Sequence, residues 1–446
     1  MTAIADYAPE TVSTPVETQP AIPEPWSLAT RIGFRFCFVY FGLYVVTTQM
    51  FRGMLPLPKI PFFDLGKLPP MRNLVMWIGH NVLKVQPILA PTGSGDTLYD
   101  WTQLVAMLAL AAAATAVWSV AARDAMNHER LQKWFRLFLR FALGTTMLSY
   151  GFAKVFPLQM PTIFLSRLLE PYGNFSPMGV IWYSIGASPG YERFIGFAEV
   201  LSGTLLFLPW TALLGALVSL GVTFGVFMVN MTYDVPVKQF SFHLVLMSIF
   251  LIAPDAHRLL RFLVLSRPVT PYAPPRLGLR ARSRRIWAVA QVVFAIWALA
   301  WETYGGAQGW KTFGGGAPKS ALYGIWDIDS MSINGEVHPP LLSDSTRYSH
   351  TVFQAVNGVT FQRMDQTFLR YRASVDTVKR TLSLTKATDS TWKATLAYQR
   401  PSPTRLSLEG DVDGKHIQMA MTLHDLNKFL LVSRGFNWVQ EQAFNR

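Results

Sequence analysis

The feature that most constrains this chain is a series of apolar segments long enough to cross a bilayer. They lie near 32–51, 101–122, 135–156, 193–208, 211–230, 240–256 and 286–304. A spanning helix needs about 20 mostly apolar residues, so the pattern predicts roughly seven transmembrane helices. Composition agrees. Only 15% of the residues are charged, against about 25% in a soluble domain. Half are hydrophobic, which excludes a soluble enzyme and a disordered chain. Residues 70–86 and 158–190 have apolar runs too short to span, and the second is broken by Pro161, Pro171, Pro177 and Pro189. They read as helices lying at the interface.

The net charge of +13 raises the question of nucleic acid. Its placement argues against that partner. The 257–285 loop holds Arg258, Arg261, Arg267, Arg276, Arg280, Arg282, Arg284 and Arg285 with no acidic residue, and the 123–136 loop holds Arg123, Arg130, Lys133 and Arg136. Basic loops of this kind stay cytoplasmic against anionic lipid. Seven spans then put the N-terminus inside, and the 52–100, 157–192 and 231–239 segments outside with everything after 305. The expected location is a bacterial inner membrane with a periplasmic or extracellular C-terminal domain. Residues 1–26 carry Asp6, Glu10, Glu17 and Glu24 and no Lys or Arg, the composition of a flexible acidic tail. The lone cysteine, Cys37, excludes an intrachain disulfide, a cysteine zinc cluster and a CxxC redox pair.

After residue 304 the pattern changes. Residues 305–315 are rich in glycine and read as a linker, closing a membrane domain of 27–304. From Leu322 the period becomes 2, with β-type runs at 346–355, 368–375, 379–385, 391–398, 404–411 and 415–422. Asn334-Gly335, Asn357-Gly358, Pro401-Ser402-Pro403 and Asp413-Gly414 separate them as turns. Residues 316–446 thus predict an antiparallel β-barrel.

Two stretches resemble known families. Arg140-Phe141-Ala142-Leu143-Gly144, Tyr150-Gly151-Phe152-Ala153-Lys154 and Gly196-Phe197-Ala198-Glu199-Val200-Leu201-Ser202-Gly203 resemble the DoxX family. The resemblance implies a four-helix core over roughly 134–258. It also implies membership of a group named for a thiosulfate:quinone oxidoreductase subunit, whose other members look like membrane partners of redox complexes. This chain departs from a simple member by its extra spans and its C-terminal domain, and it lacks an obvious sulfur-carrying thiol. Gly324-Ile325-Trp326 resembles the Gly-x-Trp opening of lipocalin-like barrels. That resemblance implies a barrel holding one apolar ligand, with Trp326 at its closed end and Arg434 covering the indole.

Ionisable groups inside spans are costly and usually face a cavity or one another. Lys154 falls at the outer end of span three with Tyr150 one turn below it. Glu199 is about seven residues into span four, or ~10 Å at the helical rise, and His243 is at a similar depth in span six. Tyr150, Lys154, Glu199 and His243 therefore form a candidate polar cluster in the outer third of the membrane. As catalytic groups they suit a quinone head, with Glu199 relaying a proton. As structural groups, Lys154 and Glu199 are a buried pair that sets packing. Arg31, Arg35 and Arg140 sit at inner ends, where long side chains snorkel to water. The histidines have no metal-ligand spacing.

Two functional readings stand side by side. One is a membrane component of a redox system, quinone-linked, with a redox partner protein. The other is a non-enzymatic transporter or lipid-handling scaffold whose barrel takes up an apolar small molecule.

Overall fold

The computed structural model describes residues 25–54, 64–160, 162–272, 280–389 and 391–445. The acidic tail read from the sequence lies outside them, apart from its last two residues. Seven long helices make up the first part: α1 (Leu28–Thr47), α2 (Leu98–Ala121), α3 (Glu129–Val155), α4 (Pro189–Phe207), α5 (Ala212–Thr232), α6 (Lys238–Ile252) and α7 (Ala281–Thr312). Five are long and apolar enough to cross a membrane: α1, α2, α5, the helical run Lys238–Val264 that α6 begins, and Arg282–Thr312 of α7. Their outward faces suit lipid, since Val117, Val120, Val289, Val293 and Ile296 are all exposed. The other two, α3 and α4, carry the ionisable residues Arg136, Arg140, Lys154, Glu192 and Glu199, which lowers their hydropathy. Helix α4 buries one face against α3 and leaves Tyr191, Phe194, Phe197 and Leu201 exposed on the other. Helix α3 contributes more buried residues than any other described helix and packs against α4, α6 and α7.

The crossing of α3 and α4 is built on glycine. Gly144 and Gly151 are seven residues apart, as are Gly196 and Gly203, so each pair lies on one helix face two turns apart. In this antiparallel pair, Gly151 faces Gly196 and Gly144 faces Gly203. A Cβ on Gly203 would stand 2.7 Å from the Gly144 carbonyl oxygen. Small residues at such crossings let two backbones touch where lipid offers no hydrophobic drive for association.

The arginines expected to snorkel do not. Arg35 and Arg140 are buried and bind the ends of other helices. Arg140 donates from Nε to Leu206 O (2.8 Å) and from Nη2 to Phe207 O (3.0 Å), the last turn of α4. Arg35 donates from Nη2 to Ala122 O (2.9 Å) just past α2, and Arg31 donates from Nη1 to Ala125 O (2.7 Å). The last carbonyls of a helix lack intrahelical donors and carry its partial negative charge, so a guanidinium satisfies both demands at once. The turn signal at 93–96 has a longer reach than expected. Asp96 accepts from Lys238 N (2.6 Å) and Gln239 N (3.0 Å), and so caps the start of α6.

Glycines 305, 306 and 309 do not form a linker. Helix α7 runs through them to Thr312. The missing side chains of Gly306 and Gly309 admit neighbours: a Cβ on Gly306 would lie 2.3 Å from the Phe156 ring, and one on Gly309 would lie 2.9 Å from Leu158. Packing outweighs the helix penalty of about 1 kcal/mol per glycine.

The second part is a closed antiparallel barrel of eight strands: β1 (Lys319–Ile333), β2 (Tyr348–Ala355), β3 (Gly358–Arg363), β4 (Phe368–Asp376), β5 (Thr381–Thr385), β6 (Lys393–Ser402), β7 (Arg405–Val412) and β8 (Lys415–Leu423). A two-residue strand, Glu336–Val337, folds back on β1. Each strand pairs with the next, and β1 pairs with β8 to close the wall. The left-handed Asn334, Gly335, Asp413 and Gly414 make the tight turns the sequence signals. Strand β3 was not among the sequence-read runs, although the Asn357-Gly358 turn before it was. All eight strands contribute inward side chains to one buried core, including Trp326, Phe353, Phe361, Leu382, Leu396 and Met419.

The barrel is seated on the membrane part rather than merely tethered to it. Leu165 packs against Ile325 and Val352 on the outer wall. Leu165 N donates to Gln354 Oε1 (2.7 Å). Strand β1 is therefore buried on both faces at Ile325-Trp326.

Candidate functional site

Lys154 and Glu199 each lie three residues beyond a glycine of the upper crossing, Gly151 and Gly196. The close backbones bring the two side chains together. Lys154 Nζ donates to Glu199 Oε1 at 2.9 Å and to Oε2 at 2.7 Å. The side chains are only 4% and 3% exposed. Lys154 Nζ also reaches Tyr150 O at 3.4 Å and lies 5.7 Å from the Tyr150 ring. The Tyr150 hydroxyl is occupied elsewhere, accepting from Gln49 Nε2 at 2.9 Å.

His243 does not join this pair. Its Nδ1 is 2.6 Å from Gln239 O, a pure acceptor, so Nδ1 carries the proton. Its Nε2 then accepts from the Tyr40 hydroxyl at 2.7 Å. Tyr44 stacks on the imidazole with ring centroids 3.8 Å apart and planes at 8°. The two groups are linked through one residue: Phe240 belongs to α6 one turn before His243, and its ring is 5.9 Å from that of Tyr150. Of the four residues expected to cluster, Lys154 and Glu199 form an ion pair with Tyr150 beside it, and His243 pairs instead with Tyr40.

Four participants were not anticipated. Tyr40, Tyr44 and Gln49 come from α1 and the turn after it, and the i, i+4 spacing of the two tyrosines was the available signal. Glu192 is the fourth. It lies seven residues before Glu199 on α4, is fully buried, and accepts from Met160 N at 3.0 Å through Oε1. Its Oε2 has no hydrogen-bond partner among the described residues. Among those residues no group of three His, Cys, Asp or Glu is arranged to hold a metal ion.

In the barrel, Trp326 is fully buried and its Nε1 donates to Leu322 O at 2.9 Å. The guanidinium over the indole belongs to Arg400, at 5.6 Å, and not to Arg434. Arg400 is anchored by Ala321 O and Pro403 O at 3.2 and 3.0 Å. Arg434 follows the short helix Leu430–Ser433 beyond the last strand, and its guanidinium lies 4.9 Å from the Phe444 ring. The chain has left the barrel wall by that point, which is why Arg434 cannot serve.

Comparison with known proteins gives one informative match. The chain is 32% identical over 133 residues to the "Uncharacterized protein YwoB" of Bacillus subtilis (strain 168), covering 28% of this chain and 76% of that protein. No protein-family model and no solved structure matches.

Proposed function

We propose that this chain, which belongs to the family of Bacillus subtilis YwoB, is a multi-pass component of a membrane redox system that works with a quinone. The observation that carries the reading is the Tyr40–His243 hydrogen bond within the apolar bundle. A phenol donating to a neutral imidazole is placed to pass on its proton as its charge changes. His243 Nε2 receives that proton, and Gln239 O fixes the tautomer that leaves Nε2 free to do so. Lys154 and Glu199 add a second ionisable pair at the neighbouring crossing, and ionisable residues inside a membrane are functional by default. The Tyr150 hydroxyl, which accepts from Gln49 Nε2, keeps its own proton for a quinone carbonyl oxygen, and Tyr44 and Phe240 supply aromatic faces. The quinone supplies the electron chemistry; these side chains orient it and move protons.

The membrane arrangement belongs to the same proposal. All seven long helices span, with the DoxX-like core over roughly 134–258. The basic 123–136 and 257–285 loops are cytoplasmic, and the lipocalin-like barrel is on the outer side of a bacterial inner membrane. Two facts support this. Seven crossings would put both basic loops on one side, and Arg140, Lys154, Glu192 and Glu199 are buried at helix contacts, which lets α3 and α4 carry charge.

The test is to purify the full chain in a mild detergent, identify quinones in its lipid extract, and titrate it with a short-chain ubiquinone and a short-chain menaquinone. Bound quinone and saturable titration, both lost in Tyr40→Phe and His243→Leu proteins that melt normally, support the reading. A preparation free of quinone that binds neither probe removes it.

A further inference from the structure

Where the barrel meets the membrane part, the structure encloses a half-open cavity of about 600 Å³ that lies outside the barrel's core. One wall is the 162–167 segment with Tyr183. A second is the chain from Phe313 to Lys319, and the third is the outer face of β1 to β4. The size is within the ordinary range of small-molecule sites, about 300–1,000 Å³. The walls are held in place by the Leu165–Gln354 hydrogen bond and the Leu165–Ile325–Val352 contact, so the space is preformed.

Its lining is one-sided in charge. Arg167, Lys319 and Arg370 line it, and no Asp or Glu does among the described residues. Arg167 is paired with Glu170 and lies 5.5 Å from the Tyr183 ring. Lys319 has no acidic partner among the described residues and rests 4.3 Å from the Tyr323 ring. The Arg370 guanidinium has neither a hydrogen bond nor an ion pair among the described residues. Two unneutralised cations in one recess attract an anion, and low-dielectric walls concentrate the field. The recess is also apolar at its rim. Phe164 and Phe313 line it while remaining 42% and 83% exposed, a large apolar area left open. Inorganic phosphate alone would leave that area and most of the volume unused.

We propose that this junction binds an anionic amphiphile: a phosphate or carboxylate head held by Lys319 and Arg370, with an apolar body against Phe164, Phe313 and Tyr183. Arg167 completes the charged side from the membrane part. Because Lys319 and Arg370 belong to the barrel while Arg167, Phe164 and Tyr183 do not, an occupant contacts both parts and holds them together. The proposal is independent of the quinone reading, which concerns side chains inside the helix bundle. The same head and body are found in an acidic lipid of the surrounding leaflet and in a free single-chain amphiphile, and the test separates the two.

The full-length protein, in a neutral maltoside detergent, is titrated with four probes: dihexanoyl phosphatidylglycerol, dodecyl phosphate, dihexanoyl phosphatidylcholine and inorganic phosphate. Saturable binding of either of the first two, at least tenfold tighter than the last two, is the expected result. Preference for phosphatidylglycerol assigns the site to lipid, and preference for dodecyl phosphate assigns it to a free amphiphile. Lys319→Gln and Arg370→Gln should each weaken that binding tenfold or more. Both side chains are exposed and unpaired, so melting without ligand should not change. Phe313→Ser should weaken the amphiphile without altering the response to inorganic phosphate. Equal binding of the zwitterionic and anionic lipids, or wild-type affinity in both charge variants, overturns the proposal.

Discussion

Gly151 and Gly196 stand face to face across the central helix crossing, so close that a Cβ on Gly196 would lie 2.7 Å from the Gly151 carbonyl oxygen. In the other direction, a Cβ on Gly151 would lie 2.9 Å from Gly196 O. Neither neighbour is the end of a flexible side chain. Gly151→Ala and Gly196→Ala must therefore push α3 and α4 apart, at the usual cost of overpacking, about 1–3 kcal/mol. Gly221→Ala in α5 meets nothing within 4 Å and removes a helix-weakening glycine, so it should leave stability unchanged or raise it by up to about 1 kcal/mol. Thermal unfolding of the three proteins in one detergent checks the contrast.

Breaking the buried pair from one side leaves an uncompensated charge. Glu199→Gln and Lys154→Met should each cost about 3–5 kcal/mol. The double substitution should recover most of the loss, since the remaining groups are neutral. If each single variant melts like the wild type, the pair does not hold the crossing. If the double variant melts normally yet loses quinone binding, the pair belongs to the site rather than to the scaffold.

Trp326→Ala empties the largest side chain in the barrel core and should cost about 3–5 kcal/mol. Arg400→Ala removes the guanidinium over the indole and should expose Trp326 to quenching by acrylamide. Arg434→Ala should alter neither the melting nor the quenching. Fluorescence and calorimetry on the intact chain give both readings.

The barrel should weaken in acid. Hydrogen bonds from Thr346 and His338 hold the Asp344 carboxyl well below the usual aspartate range. The folded value is depressed, so the stabilisation is complete above the unfolded value near ~3.9. It is lost as pH falls through that value toward the folded one. Melting temperature should therefore drop below about pH 4. Asp344→Asn should be less stable than the wild type at pH 7 and should change less over that acid interval. An unchanged acid slope in the variant would show that other carboxylates set it.

The proposed seven crossings put the barrel outside, so alkaline phosphatase fused after residue 446 should be active in a bacterial host. A reporter working only in the cytoplasm, active at the same point, would require an even number of crossings.

Position along a helix was legible in the sequence; direction around the helix was not. The glycine spacing of 144, 151, 196 and 203 and the shared depth of Lys154 and Glu199 follow from a rise of 1.5 Å per residue. His243 has the same depth but points at α1, which only packing decides. The barrel was legible because alternation and turn residues are local; β3 is not among the runs, although β5, which is, is shorter still. Arg434 was implied by the lipocalin resemblance from its place near the last strand, whereas the guanidinium over Trp326 is that of Arg400. The glycines at 305, 306 and 309 carry linker chemistry locally, and Phe156 and Leu158, about 150 residues earlier, turn Gly306 and Gly309 into a contact surface.

Helix α6 has no side-chain cap of its own at Val237 and takes one from Asp96, 142 residues upstream. The consequence is one of order in time. The 93–96 loop is synthesised long before α6, so the acceptor for Lys238 N and Gln239 N is present when that helix enters the bundle. Gln239 O in turn receives the imidazole proton of His243 one turn later. The alignment of His243 with Tyr40 therefore depends on a loop made early in synthesis, and a change at Asp96 would be felt as slow or misdirected insertion before it was felt as lost chemistry.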